Sequence, residues 1–251
     1  MEIEIVPLLQ IQRELYRVPR GLERFRAYVQ TLTGDGDDTV LPPLVAMNPL
    51  GKEHVALFLD KLLALDAEAI AAQAAQAAAA RLPTHMALRL GLVATDDAHG
   101  GWTNRTFADM TSRFQSGRML RQGWAMVSLW TADSWTATEI ELATRTAVYR
   151  AAWVGAFGEP RTLGAMLRQE GFATLFADAA CDTLDPEDLA YSHAVIAPHH
   201  ETTAYPLIVA CLYGDAVARS VGYPPLGLSA NAGYAVALDM AHRAGIAPEA
   251  M

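Results

Sequence analysis

Residues 96–113 read Asp-Asp-Ala-His-Gly-Gly-Trp-Thr-Asn-Arg-Thr-Phe-Ala-Asp-Met-Thr-Ser-Arg, and they bring carboxylates, an imidazole, an amide, an indole and two guanidinium groups into one short stretch. Asp96, Asp97 and His99 offer donors to a divalent metal, and His99 with Asp97 could equally work as a catalytic proton-transfer pair. Adjacent residues on extended backbone point to opposite sides, so at most two of these three converge locally. Gly100 and Gly101 allow backbone that other residues avoid and could turn amide hydrogens toward an anion. Trp102, Asn104, Arg105 and Arg113 then read as substrate-binding groups, with the arginines as bidentate clamps for a carboxylate or phosphate. The competing reading is structural: an Asx turn at Asp96 or Asp97, Trp102 in the core and Arg105 in an ion pair.

A second polar group, His199, His200 and Glu201, stands between two expected helices. Together with Asp96 and His99 it could complete a metal centre, provided the fold brings the two regions together. It lacks the His-Glu-x-x-His spacing that sets two imidazoles on one helix face, and an exposed interhelical turn is the plainer reading. His-Gly-Gly at 99–101 is similar to the oxyanion loop of esterases, which needs a Gly-x-Ser-x-Gly elbow. The nearest approach, at 227–231, lacks the final glycine, and Ser229 is better used as a helix cap. Gly51-Lys52 has neither the upstream glycine nor the following Ser or Thr of a phosphate loop, and no Gly-x-Gly-x-x-Gly or Cys-x-x-Cys occurs. His193 falls on the apolar stripe of its helix as a hydrogen-bonded core imidazole, while His54, His85 and His242 show no partner spacing.

The elements that would hold these groups are legible from periodicity. Residues 88–95 and 124–130 read as two strands that pair, with a third short strand at 2–6. Leu8, Ile11, Leu15 and Val18, then Leu22, Phe25, Val29 and Leu32, recur at helical spacing on either side of Pro19 and Gly21, so two amphipathic helices with a break are expected. Arg13, Arg17, Arg20 and Arg24 read as a solvated face. Asn48 before Pro49 reads as the cap of a helix whose buried stripe includes Val55, Leu62 and Leu65, and Asp66 as the cap of an alanine-rich packing helix. Thr136 and Glu139 form a capping box for a long helix. Further helices are expected over 162–177, over 186–196 opening with Asp185 and Pro186, over 204–219, and over 230–243 capped by Ser229.

The 251 residues contain 52% hydrophobic and 19% charged side chains, which describes an ordered globular chain. The net charge is −9, and residues 151–251 carry 11 acidic against 4 basic side chains, so nucleic acid and anionic membrane are poor partners. The N-terminus lacks the pattern of a signal peptide, no segment reads as a membrane span, and Cys181 and Cys211 read as buried free thiols, so the expected place is the cytoplasm. Helices outnumber strands too far for a doubly wound sheet. The expectation is therefore an α+β fold, predominantly α-helical with a small sheet, in one globular domain over 1–251, within which residues 1–40 could form an N-terminal helical subdomain. The expected function is a small-molecule enzyme, a metal-dependent hydrolase or lyase acting on a polar or anionic substrate. The alternative is a non-catalytic helical scaffold or homo-oligomerising interaction protein.

Overall fold

The computed structural model describes residues 1–36, 38–98, 102–179 and 184–250. His99, Gly100, Gly101 and Cys181, all singled out above, lie outside the described residues. The fold is predominantly helical with a small sheet, as the sequence predicts. The chain divides into two compact units, Met1–Ala151 and Ala152–Met251.

The first unit is built on a three-stranded sheet of β1 (Glu2–Val6), β2 (Ala87–Thr95) and β3 (Trp124–Trp130), in that order and all parallel. Parallel strands require crossover connections. Four helices, α1 (Leu8–Leu15), α2 (Leu22–Thr33), α3 (Glu53–Ala64) and α4 (Ala67–Arg81), join β1 to β2, and α5 (Arg105–Phe114) and α6 (Gly117–Arg121) join β2 to β3. The central strand β2 is buried continuously from Leu90 to Thr95, as a strand covered on both faces must be. Its pairing with β1 stops at Gly91, and beyond that point the buried amide of Gln12 takes the missing neighbour's place. Gln12 Nε2 donates to the Ala94 carbonyl at 3.1 Å and its Oε1 accepts from the Ala94 amide at 3.0 Å. Gly91 makes this possible, because a Cβ there would sit 2.2 Å from Leu8 Cδ1 and push α1 off the sheet.

Three expectations in this unit change. Asn48 does not cap a helix: α3 starts at Glu53 behind Lys52, and the Asn48 side chain is buried elsewhere. Arg24, expected with Arg13, Arg17 and Arg20 on a solvated face, is the buried residue of α2, while the helix's apolar stripe of Leu22, Phe25 and Val29 is exposed. Arg24 sits 4.7 Å over the Tyr16 ring and donates to the carbonyls of Val18 and Gly51. Asp66 precedes α4 in left-handed backbone and makes no side-chain cap bond.

Helix α7 (Ala137–Phe157) contains the division between the units, and its capping box forms as expected. The Thr136 amide donates to Glu139 Oε2 at 2.6 Å, and the Glu139 amide to Thr136 Oγ1 at 3.3 Å. Thr136→Ala should cost about 1 kcal/mol, lowering the melting temperature by about 2–4 °C in a chain of this size, whereas Thr136→Ser should be close to neutral. An unchanged melting curve for Thr136→Ala would remove the box as a contributor.

The second unit is helical: α8 (Leu163–Ala177), α9 (Pro186–Ile196), α10 (Tyr205–Tyr213), α11 (Asp215–Ser220) and α12 (Ala232–Ala244). The expected helix over 204–219 is two, broken at Gly214, whose φ of 81° and closeness to the Ser229 carbonyl exclude a side chain. Asp185 caps α9 as expected, accepting from the amides of Glu187 and Asp188. Ser229 does not cap α12; its hydroxyl donates to Asp188 Oδ2 at 3.0 Å, and left-handed Asn231 precedes the helix instead. His193 bonds through Nε2 to Asp239 Oδ2 at 2.6 Å, in keeping with a hydrogen-bonded imidazole. Cys211 is a buried free thiol whose pKa burial pushes up to about 11. Among the described residues no helix is long and apolar enough to cross a membrane.

Candidate functional site

In a parallel sheet all strands end on the same side, and the loops leaving those ends are where open α/β folds place reactive groups. Here β2 and β3 run side by side to their last residues, Thr95 against Trp130, and the Thr131 amide donates to the Thr95 carbonyl at 3.0 Å. Asp96 and Asp97 therefore leave the sheet next to Thr131, Ala132 and Asp133. The sequence places these two groups 34 to 37 residues apart; the strand register makes them neighbours.

Asp96 is 2% exposed, and its two carboxylate oxygens are both used. Oδ1 takes His54 Nε2 at 2.8 Å and the Thr131 hydroxyl at 3.2 Å, and Oδ2 takes Asn48 Nδ2 at 2.7 Å. His54 comes from the first turn of α3 and its side chain is 23% exposed, so it links the buried carboxylate to the surface. Asn48 is fixed at both ends: its Oδ1 accepts from the Leu50 amide at 3.0 Å, and its carbonyl takes the Tyr16 hydroxyl. Gly51 leaves room for that hydroxyl, because a Cβ there would clash with it. Burial, reinforced by the charge of Asp96 and opposed by Arg24, holds the Tyr16 phenol above its ordinary range, so it stays a neutral donor.

Asp97 meets Asp96 at the Thr131 hydroxyl and carries the network outward to the loop. Its Oδ1 accepts from the Ala132 amide at 2.9 Å and from Thr131 Oγ1 at 3.2 Å, and its Oδ2 from Arg105 NH1 at 3.2 Å. Arg105 is clamped in two-pronged fashion by Asp133, at 2.8 and 2.6 Å, and lies 5.3 Å from the centre of the Trp130 ring. Burial works against the Arg105 charge, but the bond to Asp133 and the fields of Asp133, Asp97 and Asp109 outweigh it and raise its pKa. Asn104 caps α5, accepting from the Phe107 amide at 3.3 Å, and Arg113 pairs with Asp109 one turn earlier at 3.2 Å. Trp102 is tied by its amide to the Asp96 carbonyl at 3.1 Å, while its side chain is among the exposed large apolar groups. Beside it, the Thr103 hydroxyl oxygen is buried with no hydrogen-bond partner among the described residues.

Of the site residues expected from sequence, Asp96, Asp97 and Arg105 are joined in one network, with Trp102 and Asn104 on the loop that follows. His199, His200 and Glu201 belong to the second unit, in the turn before α10, where the His200 carbonyl accepts from the Gly164 amide at 2.8 Å and the His199 carbonyl from Thr202 at 2.9 Å. Among the described residues no group of three or more His, Cys, Asp or Glu side chains is placed to hold a metal ion. Sequence reasoning missed His54, Asn48, Thr131 and Asp133. For Thr131 and Asp133 the signal is the parallel topology, because the residues leaving adjacent parallel strands become neighbours, whereas Asn48 and His54, before and in the first turn of α3, carry no such signal.

The molecule is thus a predominantly helical α+β protein with a buried carboxylate–imidazole pair at the carboxyl end of a small parallel sheet. No protein-family model matches the chain, and no curated protein or solved structure matches it either.

Proposed function

We propose that the chain is a small-molecule enzyme, a hydrolase or lyase, in which His54 moves the proton and Asp96 orients it. The observation that carries this reading is the 2.8 Å bond between a carboxylate with 2% exposure and a histidine that reaches the surface. An ionised carboxylate can only accept, so Nε2 of His54 carries a hydrogen, and in the neutral imidazole Nδ1 holds the lone pair. Burying a carboxylate is costly unless it is bonded, and a buried acid holding a half-buried imidazole is a recurrent arrangement for general acid–base work. Thr131 and Asn48 hold Asp96, while Arg105 and Asp133 fix the loop around it, acting as positioning residues.

Arg105 and Arg113 are already engaged by carboxylates, and Asp97 and Asp133 add negative charge, so the site favours a neutral or cationic polar molecule over an anion. The exposed indole of Trp102 offers it an apolar wall. A divalent metal held through Asp96, His99, His199, His200 and Glu201 draws on less of this geometry, because the Asp96 oxygens are bonded to Asn48, His54 and Thr131. The scaffold alternative rests on a different feature, the outward stripe of α2, which an enzyme can also possess.

The test is a screen of neutral, cationic and anionic polar compounds for thermal stabilisation, with hits assayed for turnover in wild type and His54→Gln. Turnover in wild type that falls by about 10²–10⁴-fold in the variant is expected of a lost acid–base group. Turnover that survives His54→Gln at the wild-type rate overturns the assignment.

A further inference from the structure

Helix α2 is inside out. Leu22 is 61% exposed, Phe25 38% and Val29 39%, all on one stripe at helical spacing, whereas the residue facing inward is Arg24, 7% exposed. The stripe extends past the helix end, because the amides of Val40 and Leu41 both donate to the Leu32 carbonyl, and this sets the 47% exposed Val40 beside Gly34. A contiguous apolar face of this kind marks a candidate contact surface.

The charges around α2 indicate what covers it. Exposed Arg20 precedes its N-terminus and exposed Arg26 lies in its second turn, while exposed Asp35 and Asp38 follow its C-terminus. Apart from Glu23 in the first turn, this is the reverse of what the helix's own dipole favours, with cations at its positive end and anions at its negative end. A second α2 laid antiparallel across the stripe corrects both mismatches at once, because its acidic end meets the basic end of the first and the two dipoles oppose. Such a pairing is two-fold symmetric, and a surface that carries complementary charges at its two ends fits a copy of itself.

We propose that α2 is a homodimer contact, in which two copies pair antiparallel through Leu22, Phe25 and Val29. Phe25 of one copy packs on Val29 of the other, and Arg20 of each faces Asp35 of its mate. A helix of 12 residues is about 18 Å long, and a pair of them covers less than the roughly 800 Å² per partner of a standard interface. The dimer is therefore weak and concentration-dependent.

Sedimentation equilibrium of the full chain over a hundredfold range of concentration tests this. Wild type should shift from monomer to dimer, and Phe25→Glu should raise the dissociation constant by about tenfold or more. Circular dichroism on the same samples shows whether the variant is folded. Arg20→Glu and Asp35→Arg should each weaken association and together restore it, because each new acid then faces a new base. A chain that stays monomeric throughout overturns the proposal and leaves the stripe to another partner. A dimer indifferent to Phe25→Glu, or a charge-swapped pair that fails to recover, overturns the antiparallel α2 contact.

Discussion

Asp96→Asn is expected to invert the protonated nitrogen of His54 and, with it, to abolish proton transfer. The substitution keeps shape and volume but replaces one acceptor oxygen by a donor. That donor cannot face Asn48, whose Nδ2 already points hydrogens at position 96 and whose orientation is fixed by the Leu50 amide. It must therefore face His54 and Thr131, and the imidazole nitrogen opposite it must become an acceptor. The neutral His54 then carries its hydrogen on Nδ1, and the lone pair on that nitrogen is lost. Turnover should fall by about 10²–10⁴-fold. The readout need not wait for a substrate, because long-range proton–nitrogen spectra of labelled histidine distinguish the two tautomers. Wild type should show Nε2–H and Asp96→Asn should show Nδ1–H. The same tautomer in both would sink the orienting role of Asp96. Asp96→Ala makes a useful contrast: it strands the buried donors of Asn48 and His54 without a partner, at about 1–3 kcal/mol each, so it should unfold the protein at visibly lower temperature than the amide does.

A large, purely structural effect is expected from Gly171→Ala. Gly171 lies on the buried face of α8, and a Cβ there would sit 2.1 Å from the Ala237 carbonyl oxygen and 2.7 Å from its carbon on α12. No side chain can swing away to relieve this, because the obstacle is backbone, so the two helices must part along their contact. Helix propensity favours alanine by roughly 1 kcal/mol, but separating a close helix pair and losing its packing costs about 3 kcal/mol or more. The net fall in melting temperature should be several degrees, and Gly171→Ser should be no better. An alanine variant as stable as wild type would mean that α8 and α12 do not pack at this distance.

Legibility in the sequence followed the range of the cause. The capping box at Thr136 and Glu139, the Asp185–Pro186 start and the alanine-rich α4 are set by residues within a turn of each other, and all three appear where local pattern places them. Strands β2 and β3 were readable from their apolar runs. Asn48 and Ser229 have the type and spacing of caps, yet each bonds to a partner more than 40 residues away. A side chain that can satisfy a helix end can equally satisfy a buried carboxylate, and only the fold decides between them. The same holds for His54, whose neighbours in sequence give no hint of Asp96. On α2 the helical period is legible but not which way it faces, because periodicity identifies an apolar face without saying whether the chain itself covers it.

The Thr131 hydroxyl has two claimants. Asp96 Oδ1 and Asp97 Oδ1 each lie 3.2 Å from it, and the amides of Asp97 and Ala98 point at its lone pairs, at 3.2 and 3.3 Å. One hydroxyl has one hydrogen, so at any instant one carboxylate holds it and the other goes without. The two acids are thereby made rivals for a single proton donor. Anything that satisfies Asp97 from outside, such as a cationic ligand or a tighter approach by Arg105, releases the hydrogen to Asp96, and anything that draws Arg105 away calls it back. Occupancy on the loop side is in this way felt at the histidine without any movement of the backbone.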